Sequence, residues 1–352
     1  MDNPGRTPQH LWQWLAAAAI AVAAIYLLSP ILTPFLLAAI LAYICNPLVG
    51  RMTRRRVPRT LATALVLLLL LLSMLVLLVV LLPLLIRQVR AIADQAPVFI
   101  DWLRAAAAPR LEELLGVQLE IAMVRDWVTA HLADIRDFAL KLLPKLTSGG
   151  LAVVGFLVNL VLVPLVLFYF LRDWDRIIAG IDAMIPRRYY GRISQLAREI
   201  DEVLGQFLRG QLLVMLGMAL FYTVGLWLVG LDYALSVGIF AGLVTFVPYL
   251  GIIVGVVLAT LTSLLQFQEL APLLWIWGVF ILANMVEGYL LVPWLVGERI
   301  GLHPVAVIFA LLAFGSLFGF FGVLLALPVS AALLVWARHL RRDYLESGMY
   351  RE

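Results

Sequence analysis

From Leu61 to Ile86 the chain carries no charged residue, and apolar stretches of similar length recur from Leu11 to Ala337. A hydrocarbon layer about 30 Å thick takes about 20 apolar residues per helical crossing, and such runs leave the chain little choice but to lie in a bilayer. Composition agrees: 64% of the 352 residues are hydrophobic, 14% are charged and the mean hydropathy is +1.01. The expected fold class is an all-α integral membrane protein with about eight transmembrane helices. Interrupted helices are expected in its C-terminal half, and amphipathic helices outside the membrane.

The spans read as Leu11–Leu28, Ile31–Val49, Leu61–Ile86, Gly149–Leu171, Gly210–Leu231, Tyr233–Leu265, Leu270–Val296 and Pro304–Ala337. The first two, separated only by Ser29-Pro30, are expected to form a tight helical hairpin. The corresponding division is an N-terminal three-span unit (1–86), an extracytoplasmic amphipathic segment (87–147) and a fourth span (148–171). Cytoplasmic amphipathic helices (172–209), a C-terminal transport bundle (210–338) and a cytoplasmic tail (339–352) follow.

Loops that stay cytoplasmic retain Lys and Arg. Residues 50–59 hold five arginines and no acid, which puts that loop inside. An even number of spans then places both termini inside, in keeping with Arg6 and with Arg338, Arg341 and Arg342. The loops around Ser29, Asp232 and Glu298-Arg299 fall outside on this scheme. The segment Arg87–Thr147 balances eight basic against eight acidic residues and exerts little topological pull. Its apolar residues, among them Leu111, Leu115, Trp127 and Phe138, recur at helical spacing. It reads as a solvated cap, with a gate or a subunit-contact arm as the alternatives. Ile193, Leu196, Ile200, Val203 and Phe207 mark a second amphipathic helix, expected on the inner membrane face. Pro186 separates it from Trp174–Ile185, where Asp173, Asp175 and Arg176 are expected to cap and pair.

Several chemistries find no support. The one cysteine, Cys45, rules out an intrachain disulfide or a cysteine metal site. Four scattered histidines form no HExxH, and no GxxxxGK[ST] loop is present to hold a nucleotide. No cofactor, metal, enzymatic activity or nucleic-acid partner is expected.

The unusual residues gather in the C-terminal half. VPYLG (247–251) interrupts the sixth apolar stretch, and proline there frees a carbonyl. Freed carbonyls at membrane depth persist only where protein or a water-lined cavity satisfies them. Such breaks build solute and ion sites in transporters, which points to Pro248, Tyr249 and Gly251. FGSLFGFFG (314–322) interrupts the eighth stretch, and the tail after it echoes the one after VPYLG, a hint of internal duplication. Pro293, Gly315, Gly319, Gly322 and Pro328 are read as helix breaks and gating positions. The pairs Gly238/Gly242, Gly251/Gly255 and Gly315/Gly319 have the spacing of close helix packing.

Glu287 is an acid inside an apolar run, where a charge costs about 2.5–3.5 kcal/mol on insertion scales. Asn284, three residues earlier, shares its face if the segment is helical, so the two are candidates to bind a polar solute or a cation. Asn159 and Gln211 read as interhelical hydrogen bonds, and His303 as a helix-start residue.

The run GQLLVMLGMALFYTVGLWLVGLDYALSVGIFAGLVTFVPYLG, followed by NMVEGYLLVPWLVGERIGLHPVAVIFALLAFGSLFGFFGVLLALPVSAALL, resembles the autoinducer-2 exporter (PerM-like) family of bacterial permeases. The order of elements over nearly the whole chain carries the resemblance. Ile252 departs from it, standing where many members have a second proline. The resemblance implies transport without ATP hydrolysis across a bacterial inner membrane. Members are reported either to export a small signalling furanone or to exchange sodium for protons. Expected partners are the lipid bilayer, a small solute, sodium or protons, and further copies of the chain. The alternatives to a secondary transporter are an oligomeric channel-like pore and a non-transporting membrane scaffold.

Overall fold

The computed structural model describes residues 9–102, 150–296 and 303–346. The amphipathic segment expected beyond residue 102, Gly297, Glu298-Arg299 and the end of the C-terminal tail lie outside the described residues. Every described element is a helix: α1 (Gln9–Arg54), α2 (Arg59–Trp102), α3 (Gly150–Ala183), α4 (Tyr190–Leu228), α5 (Ala234–Val244), α6 (Leu250–Phe267), α7 (Ala271–Val286) and α8 (Pro304–Glu346). A 3-10 turn at Arg187–Tyr189 follows Pro186, and a π-helical segment, Glu287–Val296, continues α7. Among the described residues, six helical segments are long and apolar enough to cross a bilayer. On α2, Leu68, Leu72, Leu75 and Val79 are all exposed, whereas Ala38, Ala42, Ala62 and Ala241 are fully buried. Lipid solvates large side chains, and small residues let helices approach, so this distribution is the expected one in a membrane.

Two compact units emerge from the contacts, each assembled from separated stretches: 1–67 with 159–205 and 300–352, and 68–158 with 206–299.

The first unit is held by charge at its polar end. Arg59, at the start of α2, donates to the Leu171 carbonyl of α3 (3.1 and 3.3 Å) and to Asn46 Oδ1 of α1 (3.2 Å), and it pairs with Asp175. Tyr43 of α1 donates to Asp201 of α4 at 2.7 Å, and His339 of α8 lies 3.6 Å from Glu199. Arg172 pairs with Asp173 at 2.7 Å, which holds that carboxyl below the usual carboxylate range. The pair therefore persists through neutral pH and is lost as pH falls through the lowered value. The charges of 172–176 pair, as their spacing suggests, but they cap no helix end, because α3 runs unbroken from Gly150 to Ala183.

Three expectations need correction. The chain does not reverse at Ser29-Pro30, because α1 runs helically through both residues. Proline removes one hydrogen bond, whereas an antiparallel turn needs several non-helical residues, and none is present. The amphipathic stretch before Gly210 is not a separate surface helix either. No proline stops it, and it continues into the span as the 39-residue α4. Finally, Gly315 and Gly319 are not a packing pair. Gly319 has φ 62° and ψ −144°, a conformation open essentially to glycine alone, and it breaks α8. A Cβ at Gly322 would lie 1.8 Å from Phe314 O. Eight residues of unbroken helix span about 12 Å, so the two halves of α8 bend sharply at Gly319.

The second unit rests on glycine contacts. An added Cβ would meet Thr223 of α4 at 2.2 Å from Gly238, and Ala219 of α4 at 2.4 Å from Gly242. A Cβ on Gly255 would meet Phe280 of α7 at 2.6 Å. Gly238 and Gly242 thus bring α5 against α4 as their spacing suggested, while Gly251 packs α6 on the end of α5 and Gly255 meets both Ala241 of α5 and Phe280 of α7. We predict that Gly242→Leu lowers stability by about 1–3 kcal/mol through overpacking against the α4 backbone, measured by thermal unfolding in detergent.

Candidate functional site

The break at residues 245–249 reverses the chain. Pro248 offers no N–H, Val247 before it is biased away from helix, and Tyr249 adopts φ 65°, so α5 ends at Val244 and α6 starts at Leu250. The arms then pack antiparallel. Near the turn, Gly251 lies against Thr245 and Ala241. At the open end, Gln88 of α2 donates to Thr262 Oγ1 of α6 (3.0 Å) and accepts from Ser236 Oγ of α5 (2.8 Å). There too, Gln266 accepts the Asp232 N–H (3.0 Å) and donates to Gly230 O (2.8 Å). The eleven residues of α5 are about 16 Å long, half a hydrocarbon core, so this hairpin enters and leaves on one side.

One expected crossing is thereby removed. α7 leaves from the side of Asp232 and runs antiparallel to α4, with Gly225 against Val279, Gly217 against Leu291 and Gly210 against Leu295. It ends beside Arg209, the end of α4 that carries the inner polar stretch. Val296, where the continuation of α7 ends, lies against Gly210 at that end of α4.

This register sets Glu287 between the levels of Gly217 and Tyr222, the middle of the uncharged run Gly210–Leu228 of α4. Glu287 is half-buried and begins the π-helical segment. Such segments are frequent at functional sites, and this one contains Pro293, which is exposed. The Tyr222 phenol is fully buried, its ring tilted by 35° against the Phe280 ring at 4.9 Å. Neither its hydroxyl nor Thr223 Oγ1 has a hydrogen-bond partner among the described residues. Gln211, 8% exposed, donates to the Thr245 carbonyl at 3.0 Å and so satisfies an acceptor freed by the break.

Glu287 thus lies nearest the level of Tyr222 on α4, whereas the end of α5 meets α4 nearer Gln211, eleven residues or about 16 Å along the same helix. Pro248 is half-buried and Gly251 buried at the turn, while Tyr249 is 63% exposed. Asn284 is exposed, unlike Glu287. Gly315, Gly319, Gly322 and Pro328 belong to α8 in the other unit, where Pro328 is buried. Gln211 is an interhelical hydrogen bond as its sequence position suggested. No comparable signal marks Tyr222 and Thr223 beyond two hydroxyls in an apolar run, nor Gln88, which lies just past an uninformative polyleucine stretch.

Long apolar helices, a hairpin that returns to its starting side and a carboxylate at mid-depth define a multi-span membrane protein of the permease type. The family description "AI-2E family transporter" matches residues 15–342, and the chain belongs to that family of bacterial permeases. It is 34% identical over 195 residues to "Putative transport protein YrrI" of Bacillus subtilis (strain 168), covering 55% of each chain. Identity to "Putative transport protein YueF" of the same organism is 28% over 316 residues, 88% of this chain and 84% of that one. With "Putative permease PerM" of Escherichia coli (strain K12) it is 28% over 229 residues, 65% of this chain and 64% of that one. The alignment with YrrI thus spans about half the length of that relative.

Gln211→Leu is predicted to cost about 1–3 kcal/mol in unfolding experiments, because it leaves a carbonyl unpaired in an apolar setting. Tyr222→Phe removes a hydroxyl with no partner and is predicted to leave stability unchanged or raised in the same assay.

Proposed function

We propose that this protein is a secondary transporter that exports a small polar solute without ATP hydrolysis, with Glu287 as the group that couples flux to an ion gradient. One observation carries the reading: a half-buried carboxylate at mid-depth, close to the level on α4 of two buried hydroxyls without partners. Ionisable groups at membrane depth are costly and are retained where they handle ions or solutes. Tyr222, Thr223 and Glu287 supply donors and a titrating acceptor at one level. The turn at Pro248, Tyr249 and Gly251 supplies an element short enough to move without unfolding a full span. Asn284 is proposed as an accessory polar group on the exposed face of α7. The family description is compatible with an autoinducer-2-like signalling molecule as the solute.

Sodium/proton exchange is the second reading, favoured by the same carboxylate, since a single titrating acid serves as the shared site of an exchanger. The C-terminal end of α8, with Arg338, Arg341 and Arg342, is proposed to lie on the cytoplasmic side.

The test is made in sealed vesicles carrying the purified protein and an internal pH dye, with imposed sodium and proton gradients. Glu287→Gln is predicted to abolish coupled flux while the protein still inserts and unfolds cooperatively. A sodium-driven pH change in the wild type would select exchange. Equal flux of a radiolabelled solute in wild type and variant would defeat the assignment of Glu287.

A further inference from the structure

At the open end of the α5–α6 hairpin, away from Glu287, lies a cavity of about 260 Å³ lined by Gln88, Gln95, Asp232, Tyr233, Thr262 and Gln266 among others. Gln88 is 1% exposed and Thr262 4%, with Ser236 behind them at 1%. Buried amides and hydroxyls gathered on three helices are costly unless their positions are fixed, and here they are. Gln88 is held by Thr262 and Ser236, and Gln266 by the backbone of Asp232 and Gly230.

Each of the two amides retains hydrogen-bonding capacity after these contacts. A carboxamide has two N–H donors and two acceptor lone pairs on oxygen. Gln88 and Gln266 each use one of either kind, leaving one donor and one acceptor apiece. Paired donors and acceptors on fixed amides match hydroxyl groups, which both give and take a proton. Among the described residues no lysine or arginine lines the cavity, so an anion meets no countercharge. Asp232 is exposed at the rim, and the remaining amide N–H donors disfavour a bare cation. The volume is below the usual range for drug-sized ligands, about 300–1,000 Å³, and suits a molecule of pentose size.

We propose that this cavity binds a small, neutral, hydroxyl-rich solute and forms a vestibule at the base of the hairpin. Its role as a vestibule rests on the transporter reading, whereas occupancy is measured without any flux. Binding there bridges α2 and α6 through Gln88 and Gln266, so an occupant also steadies the hairpin against α2.

The single native cysteine, Cys45, is buried, so a thiol introduced at the cavity is the reactive one. Gln95→Cys and Leu265→Cys, made separately in the full chain in lipid nanodiscs, report on the cavity through their rates of maleimide labelling. Excess ribose is expected to slow labelling several-fold at both positions, while sodium chloride, choline chloride and inorganic phosphate leave the rates unchanged. Ribose is also expected to raise the unfolding temperature of the wild type, by mass action on the folded state. A wild type whose unfolding temperature ignores ribose overturns the proposal. So does a rise without protection at either reporter, which places binding elsewhere. Protection by sodium or choline instead of ribose makes it a cation site, protection by phosphate an anion site, and equal protection by every probe a nonspecific effect; each of these overturns it.

Discussion

A helix that breaks inside a bilayer must find hydrogen-bond partners within the protein, because lipid offers none. That constraint shapes the second unit. The turn at 245–249 frees the Thr245 carbonyl, and the Gln211 amide of α4 meets it at 3.0 Å. The amide reaches because α5 lies almost on the α4 backbone, an approach that Gly238 and Gly242 permit and any larger residue opposes. Close packing, the satisfied break and the depth of Glu287 are consequences of one arrangement. If α5 moved away from α4, the carbonyl would lose its partner and the polar groups near Tyr222 would part.

Charge and amide groups divide the remaining structural work by location. At the polar end of the first unit, Arg59 ties α1, α2 and α3 through Asn46, Leu171 and Asp175. At the open end of the hairpin neutral amides do the corresponding task, with Gln88 joining α2 to both arms. Arginine keeps its charge beside water, where the desolvation cost is modest, whereas buried contacts are made by groups without charge to desolvate.

The all-helical membrane fold was legible because continuous apolar runs leave a chain few alternatives. The break at VPYLG was legible from proline chemistry, and the packing of Gly238 with Gly242 from their spacing. The outcome of the break was not. Proline forecasts an interruption, but whether the chain bends or reverses depends on partners such as Gln88 and Gln266, far away in sequence. Ser29-Pro30 and Gly319 make the same point from opposite sides, the former absorbed into a helix and the latter breaking one. Glu287 announced itself by its charge. Tyr222 and Thr223 did not, since a hydroxyl in an apolar run is informative only once its lack of a partner is visible.

The most direct measurement is the distance between spin labels at Asp232 and Gln268, with Cys45 replaced by serine, in lipid nanodiscs. The reversal at residues 245–249 predicts a short separation, under roughly 20 Å, since both positions sit at the open end of one hairpin. A continuous helix over the same 36 steps would hold them roughly 54 Å apart. A distance near that longer value would contradict the hairpin, and with it the pairing of the Thr245 carbonyl with Gln211.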